Sequence, residues 1–542
     1  MARLTKLAIQ NYRSIGDQIQ IEFPANAPVV LVGENNAGKS NIVKALSLLL
    51  GPIWPANYSP EDHEFFARDR DQEIKIFAEF AEDNQFGGRY RKVTWTHNAE
   101  ETEYVGWPLP YIGASGWINN TDRDTCVCIM LEAERNLRYQ LSYTSKSTLL
   151  SKLMHRFHNR LMEVQETRED LEQLFAQIKT KFAEIPEFSE FTGRLKEQLG
   201  DFIGTMTHRL EVDFEAYNPT NFFHALRLHA QEGGTPRTLE ELGTGEEQIL
   251  AVSFAYAYAQ AFHGGIVLVV EEPEAHLHPL AQQWLARRLT SMCAGGLQVL
   301  LTSHSPHFID VEGLEGLCII SKSDGRTIST QLTRQELTTR CLESGALGAT
   351  PENILPFYKA GATAHILEGF FAKAVVLVEG PTESLALPIY LARCGLDNTR
   401  EGVAFIAVGG KGALARWRRL FAAFEIPVFV VFDNDAGDDQ QGIKRRDALN
   451  SVGVPADQVD GVIASDDVIV TANFAVFGTN FESALRARFA EYEPLEQDAV
   501  DDGVSSKPFR ARWVAQRLAY SAEDARWDLF RDLAENLKNL LE

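Results

Sequence analysis

Val29-Val30-Leu31-Val32, running into Gly33-Glu34-Asn35-Asn36-Ala37-Gly38-Lys39-Ser40, decides the fold of the first half of this 542-residue chain. Four successive apolar residues read as a buried strand. The loop fits GxxxxGK[ST], and Ile42, Val43, Ala45 and Leu46 continue as an apolar-faced helix. A strand, a glycine-bounded loop and a helix in that order make a phosphate cradle. Glycine lets backbone N–H groups close around phosphate oxygens, and the helix N-terminus adds a favourable dipole. Asn35, Asn36, Ala37, Gly38, Lys39, Ser40 and Asn41 are therefore the expected nucleotide-binding residues. Lys39 would neutralise the β/γ oxygens, and the Ser40 hydroxyl would ligate the Mg²⁺ that accompanies ATP.

Working outward, Ile266-Val267-Leu268-Val269-Val270 is a second buried strand, ending in Glu271-Glu272-Pro273-Glu274. Glu271 would hold the metal's water shell and Glu272 would polarise the attacking water. A third strand, Val299-Leu300-Leu301-Thr302, places Ser303-His304 at its end, where His304 could sense the γ-phosphate. Leu242-Gly243-Thr244-Gly245-Glu246 opens a helix whose Thr244 and Gly245 could cap a phosphate from outside. His276 and His278 lack a third partner at ligand spacing and read as loop architecture.

Together these elements resemble the ATP-binding-cassette ATPases of the structural-maintenance and RecF-like group, in matching order over roughly residues 1–350. The resemblance makes Glu271 and Glu272 the Walker B and catalytic acids and His304 the switch histidine. It also makes residues 242–248 the signature, although Thr-Gly-Glu-Glu-Gln stands where the group has Ser-Gly-Gly-Gln. In that group the signature of one module caps ATP held by another. One P-loop and one signature per chain thus imply at least a homodimer.

The C-terminal part carries a different pattern. Ala374-Val375-Val376-Leu377-Val378 runs into Glu379-Gly380-Pro381-Thr382-Glu383, and Val428-Phe429-Val430-Val431-Phe432 runs into Asp433-Asn434-Asp435. Between them lies the strand and glycine turn Phe405-Ile406-Ala407-Val408-Gly409-Gly410-Lys411. Acids at the ends of parallel strands converge at the carboxyl edge of a sheet. Several carboxylates there call for a cation, and oxygen-only ligands favour Mg²⁺ or Mn²⁺. Glu-Gly-x-x-Glu followed by Asp-x-Asp resembles a Toprim domain. An ABC-type ATPase with a helical insertion, followed by Toprim, resembles the OLD (overcoming lysogenization defect) family nucleases over nearly the whole chain.

That resemblance implies a two-metal phosphodiesterase with Glu379, Glu383, Asp433, Asp435 and Glu482 as metal ligands. Glu379, Asp433, Asp435 and Lys507 are its catalytic set, with Lys507 as a fixed positive charge. It also implies DNA as substrate, a role in antiphage defence and an accessory helicase or other defence protein as partner; RNA stays open. The rival expectation is a repair or regulatory ATPase whose Toprim unit binds DNA or a protein without cutting. Arg416-Trp417-Arg418-Arg419 and Lys444-Arg445-Arg446 offer either DNA-backbone contacts or ordinary solvated helix faces, and Asp438 and Asp439 read as loop surface.

Composition sets the outer bounds. The chain is 45% apolar and 23% charged, as globular proteins are, and its net charge of −23 (75 acidic against 52 basic) excludes a broad basic coat for nucleic acid. Six scattered cysteines make no disulfide framework, the Cys126/Cys128 pair included, which points to a reducing, cytoplasmic setting. No apolar run is long enough for a membrane span, and no leader segment is expected. The expected class is α/β. The ATPase domain occupies 1–147 and 205–350, interrupted by a helical insertion (148–204) suited to dimerisation. A linker (351–370) leads to a Toprim domain with C-terminal helices (371–542), in which the acidic run Glu491–Asp502 is expected to be a solvated loop.

Overall fold

The computed structural model describes residues 2–108, 115–131, 265–437 and 439–541, with scattered positions between 164 and 257. The contacts divide the chain into one unit made of 1–133 and 263–542, and a second made of 134–262. The described part of the second unit includes a short hairpin, β9 (Ala230–Glu232) with β10 (Thr235–Arg237). The expected insertion boundaries, and Thr244, Gly245 and Asp438, lie outside the described residues.

The first unit opens with two sheets. β1 (Leu4–Gln10), β2 (Ile19–Glu22), β4 (Ile74–Phe80), β5 (Lys92–His97), β6 (Thr102–Trp107) and β7 (Gly116–Trp117) form an antiparallel sheet in the order β2-β1-β4-β5-β6-β7. Its strands alternate between buried and less buried positions, as one-sided burial requires. The other sheet carries the nucleotide loop. β3 (Val29–Val32) lies between β12 (Gln298–Thr302) and β13 (Leu317–Ser323); β11 (Gly265–Glu271), β8 (Cys126–Leu131) and β14 (Arg326–Gln331) complete the order β14-β13-β3-β12-β11-β8. All pairings are parallel except β13 with β14. Buried on both faces, β3 and β12 are apolar throughout or nearly so, which is why they read as unbroken runs.

A second parallel sheet follows in the order β16-β15-β17-β19-β18, from β15 (Ala374–Val378), β16 (Val403–Ala407), β17 (Val428–Asp433), β18 (Ile469–Val470) and β19 (Phe474–Phe477). Only the short β18 runs antiparallel. The helix Pro381–Arg393 and the C-terminal helix Asp528–Leu541 bury Tyr390, Phe530, Leu533 and Leu537 against it in one apolar cluster.

Two segments differ from expectation. Residues 351–370 form short helices (Ile354–Lys359, Ala364–Leu367) that bury Leu355, Tyr358 and Leu367, and the Tyr358 hydroxyl donates to the Arg416 carbonyl at 3.2 Å. Glycine, proline and alanine suggested a linker, but the interspersed large side chains have somewhere to pack. The acidic run near 491–502 is the helix Tyr492–Asp501, with Tyr492 and Ala499 turned inward. Its acids take the outer face, so charge density alone misread it.

Candidate active sites

At the end of β3 the chain turns at Gly33 (φ +154°), where a Cβ would sit 1.9 Å from the Ile320 carbonyl oxygen. Gly38 (φ +117°) precedes the helix Lys39–Leu50, and a Cβ there would meet the Thr327 hydroxyl at 2.2 Å. Only glycine fits either place. The Lys39 ammonium is buried and donates to the Gly33 and Glu34 carbonyls at 2.7 and 2.8 Å. Burial pushes its pKa down, against the nearby Glu272, Glu274 and Glu34.

Glu271 and Thr302 are register partners on β11 and β12. Glu272 follows with φ +46°, an uncommon backbone for a non-glycine residue, held by its N–H on the Thr302 carbonyl at 3.0 Å. The Glu274 carboxylate accepts from the Ser303 hydroxyl at 2.9 Å and the His304 N–H at 2.5 Å, which fixes the loop that presents His304. Burial, then Lys39, lowers the His304 pKa, against the pull of Glu274 and Glu272. Asn35, Asn36, Gly38, Lys39, Ser40, Asn41, Glu271, Glu272, Thr302 and His304 line one cavity of about 290 Å³. The P-loop, the Glu271-Glu272 strand end and the His304 strand end meet there, and the signature lies outside the described residues.

Sequence reasoning missed the bracing of this loop. The Asn41 amide donates to the Ser14 hydroxyl at 2.7 Å, Ser14 shares a hydrogen bond with Thr327 at 2.7 Å, and Thr327 donates to the Ala37 carbonyl at 2.8 Å. Isolated Ser and Thr residues far apart in the chain carry no local signal. His278 caps the helix Pro279–Ala294 by accepting the Ala281 N–H at 3.3 Å, and His276 takes φ +63°, both in keeping with loop architecture. No disulfide joins the six cysteines, and burial pushes the Cys126 thiol up, away from the thiolate form.

The acids of the second sheet meet at its carboxyl edge. The Glu379 carboxylate accepts the Asp433 N–H at 2.8 Å, and Asp433 in turn accepts the Phe481 N–H at 2.9 Å. Glu383 closes the first turn of its helix by accepting the Gly380 N–H at 3.2 Å. Glu482 is buried one residue into the helix Phe481–Arg488, and the Lys507 ammonium pairs with it at 2.9 Å. Burial, then the neighbouring carboxylates Glu383, Glu379, Glu482 and Asp435, pushes the Asp433 pKa up to about 8. Burial likewise pushes Glu379 up to about 7, against the pull of Lys411, and raises Glu383. Lys507 is raised by Glu482, Asp433 and Glu383 despite its own desolvation.

Among the described residues, no three acidic, histidine or cysteine side chains are already arranged to hold a metal ion. The donor set nonetheless fits a hard divalent cation: it is oxygen-only, two of its members (Glu383 and Glu482) are buried, and it carries more carboxylate than two ammonium groups balance. Glu379, Glu383, Asp433, Asp435 and Glu482 are the residues that would hold it.

Two basic clusters turn out differently from one of the expectations for them. Arg419 is buried on Asp447, Arg446 pairs with Asp460, and Arg416 lies 3.7 Å over the Phe357 ring. Arg445 (6% exposed) is locked between Asp439 (4% exposed) and the Asn434 carbonyl. Asp439 is therefore an interior anchor and not loop surface. Asn434, between the two aspartates, donates to the Val462, Ile463 and Ser465 carbonyls at 2.8–3.0 Å. The middle residue of Asp-x-Asp thus secures the loop. Lys411 was also missed as a site residue; its position after a strand-end Gly-Gly turn is the signal that could have found it.

Comparison with known proteins agrees with this architecture. The family model for the Toprim domain of overcoming-lysogenization-defect-like proteins matches residues 370–435. Two AAA models match residues 133–310, described with the AbiEii toxin of a Type IV TA system, and residues 3–182, described as an AAA ATPase domain. An "OLD nuclease" of Thermus scotoductus is 26% identical, covering 80% of this chain and 82% of its own. The "Old nuclease" of Escherichia phage P2 is 20% identical, covering 80% and 77%. "Endonuclease GajA" of Bacillus cereus is 24% identical over 32% of this chain and 27% of its own.

Proposed function

We propose, from the premise that this chain is a member of the OLD group of ATPase–Toprim proteins, that it is a nucleotide-regulated, divalent-metal-dependent DNA endonuclease. The observation that carries this reading is the meeting of Glu379, Glu383, Asp433 and Glu482 with Lys507 at one sheet edge. A site built only to bind DNA gains nothing from buried like charges, whose cost a phosphodiesterase offsets with its cations. Mg²⁺ or Mn²⁺, when bound, would activate a water and stabilise the leaving 3′ oxygen. The chain's own part is to orient. Glu379 and Asp433 are each pinned by a backbone N–H, Asn434 secures the Asp433–Asp435 loop, and Lys507 brings positive charge toward the scissile phosphate.

The ATPase half binds ATP with Mg²⁺ between Lys39, Ser40 and Glu271, with Glu272 and His304 serving hydrolysis. It dimerises through the Thr244-Gly245 signature and controls access to DNA rather than cutting it. A cytoplasmic role in antiphage defence, with an accessory defence protein, belongs to the same reading, and the nuclease names of the relatives support its nuclease part. Among the described residues no helix is long and apolar enough to cross a membrane.

The test is a supercoiled-plasmid assay with Mg²⁺ or Mn²⁺, with and without ATP, comparing wild type with Asp433→Ala. Metal-dependent nicking or linearisation that the variant loses is the expected result. Intact ATP hydrolysis without any cutting would favour the regulatory ATPase instead.

A further inference from the structure

Lys411 opens the helix Lys411–Ala423, with Gly410 (φ +121°) before it, and only 8% of it is exposed. Two general effects oppose that placement. A cation at a helix N-terminus faces the positive end of the dipole, and a buried ammonium is costly unless it is fully paired. What holds it is a ring of oxygens drawn from both acidic motifs. Its Nζ donates to the Asp435 carbonyl at 2.9 Å and to the Asp435 carboxylate, and lies 3.7 Å from Glu379 Oε1. The same Glu379 oxygen accepts the Asp433 N–H. The Gly409 and Gly410 N–H groups both bond the Glu379 carbonyl, at 3.0 and 2.8 Å, so the turn that carries Lys411 is tied to the strand end that carries Glu379. One backbone carbonyl and two carboxylates around a single positive charge are the donors a hard divalent cation takes.

We propose that Lys411 is a positioning residue that stands in for a divalent cation. Its ammonium keeps Glu379 and Asp435 facing one point in the metal-free chain, and it gives way when Mg²⁺ or Mn²⁺ enters. This rests on the metal-dependent reading of the site. It goes beyond that reading in making metal uptake a competition with a residue of the chain itself. A second ammonium, Lys507 on Glu482, stays at the other side of the cluster. The two lysines therefore differ in kind: Lys507 is 60% exposed at its side chain and reaches in from solvent, whereas Lys411 is enclosed among the ligands.

Competition has a sign that a merely structural role does not share. In the full-length chain, with Mn²⁺ alone as the probe and calorimetric titration as the readout, Lys411→Met is expected to lower the half-saturating Mn²⁺ concentration roughly tenfold, since it removes one competing charge. It is also expected to lower the Tm in EDTA. A folded Lys411→Met protein with unchanged or higher half-saturating Mn²⁺ overturns the proposal. Wild-type protein gives a second measurement that does not depend on a variant folding. Pulsed acylation of lysines, read by mass spectrometry, should label Lys411 several-fold more at saturating Mn²⁺ than in EDTA, and equal labelling overturns the proposal too. Wild type that takes up no Mn²⁺ would sink the nuclease reading along with this one, whereas Mn²⁺ uptake indifferent to Lys411 sinks this one alone.

Discussion

Asp433 and Glu379 make the clearest case at the scale of single residues, because their chemistry ties the site to stability. Each carboxyl has an ordinary pKa near 4 when unfolded and is pushed up, to about 8 and about 7, mainly by burial. At intermediate pH the folded chain thus holds protons that the unfolded chain has released. Their stabilising contribution is complete below about pH 4 and is lost as pH rises through 7 to 8. In EDTA, the Tm is expected to fall by roughly 5 °C between pH 6 and pH 8.5. Saturating Mn²⁺ should flatten that fall, and Asp433→Asn should remove most of it. Differential scanning calorimetry across pH checks this, and a metal-free Tm that rises over that interval would contradict it. Glu379 and Asp433 were legible in the sequence, since each directly follows an apolar run that reads as a buried strand, and Glu383 and Asp435 by their spacing from them. Lys411 was overlooked: its place after a strand-end glycine turn marks it as a candidate, but its partners Asp435 and Glu379 come together only once the strands are paired.

At the scale of elements, the contrast between Asp439 and Arg446 shows what a sequence of charges leaves undecided. Lys444-Arg445-Arg446 reads as a basic stripe, yet the helix Ile443–Ser451 turns Arg445 into the interior, where Asp439, itself enclosed, accepts from its Nε at 3.2 Å. Asp439 also caps the helix start by accepting the Lys444 and Arg445 N–H groups at 3.0 and 3.1 Å. Those bonds, together with Arg445, hold its pKa down against burial. Asp439→Ala should therefore destabilise by about 3 to 5 kcal/mol, because it strands a buried guanidinium. Arg446→Ala, which removes a pair with the exposed Asp460, should cost less than about 1 kcal/mol. Urea unfolding separates these values, and equal effects would mean that Arg445 finds another partner.

For the whole molecule, the nucleotide cavity and the acidic cluster belong to one compact unit, and ion pairs link the parts of the chain that carry them. Lys373, the residue before β15, pairs with Glu34 of the nucleotide loop at 3.5 Å, and Arg340 pairs with Glu425 at 3.2 Å. These ion pairs are partly exposed and contribute little to stability individually. Nucleotide-driven dimerisation is the expected global response. Glu272→Gln should bind ATP with near wild-type affinity, hydrolyse it at least about 100-fold more slowly, and accumulate as a dimer in ATP. Light scattering coupled to size exclusion reads the mass; a monomer under those conditions would count against a shared signature.

The sequence by itself determined the strand–loop–helix at Gly33–Ser40, the strand-end acids of both sheets, and with them the two-part ATPase–Toprim architecture. These are readable because each depends on local chemistry: glycine where a side chain cannot fit, and unbroken apolar runs where a strand is covered on both faces. Which charges point inward depends on the fold. Residues 351–370 pack as helices, Glu491–Asp502 is mostly helical, Arg445 and Asp439 anchor a loop, and Lys411 joins the acids, because burial and pairing depend on partners distant in the chain. A charge has the same letter in solvent and in a site; its surroundings, which the fold supplies, settle what it does.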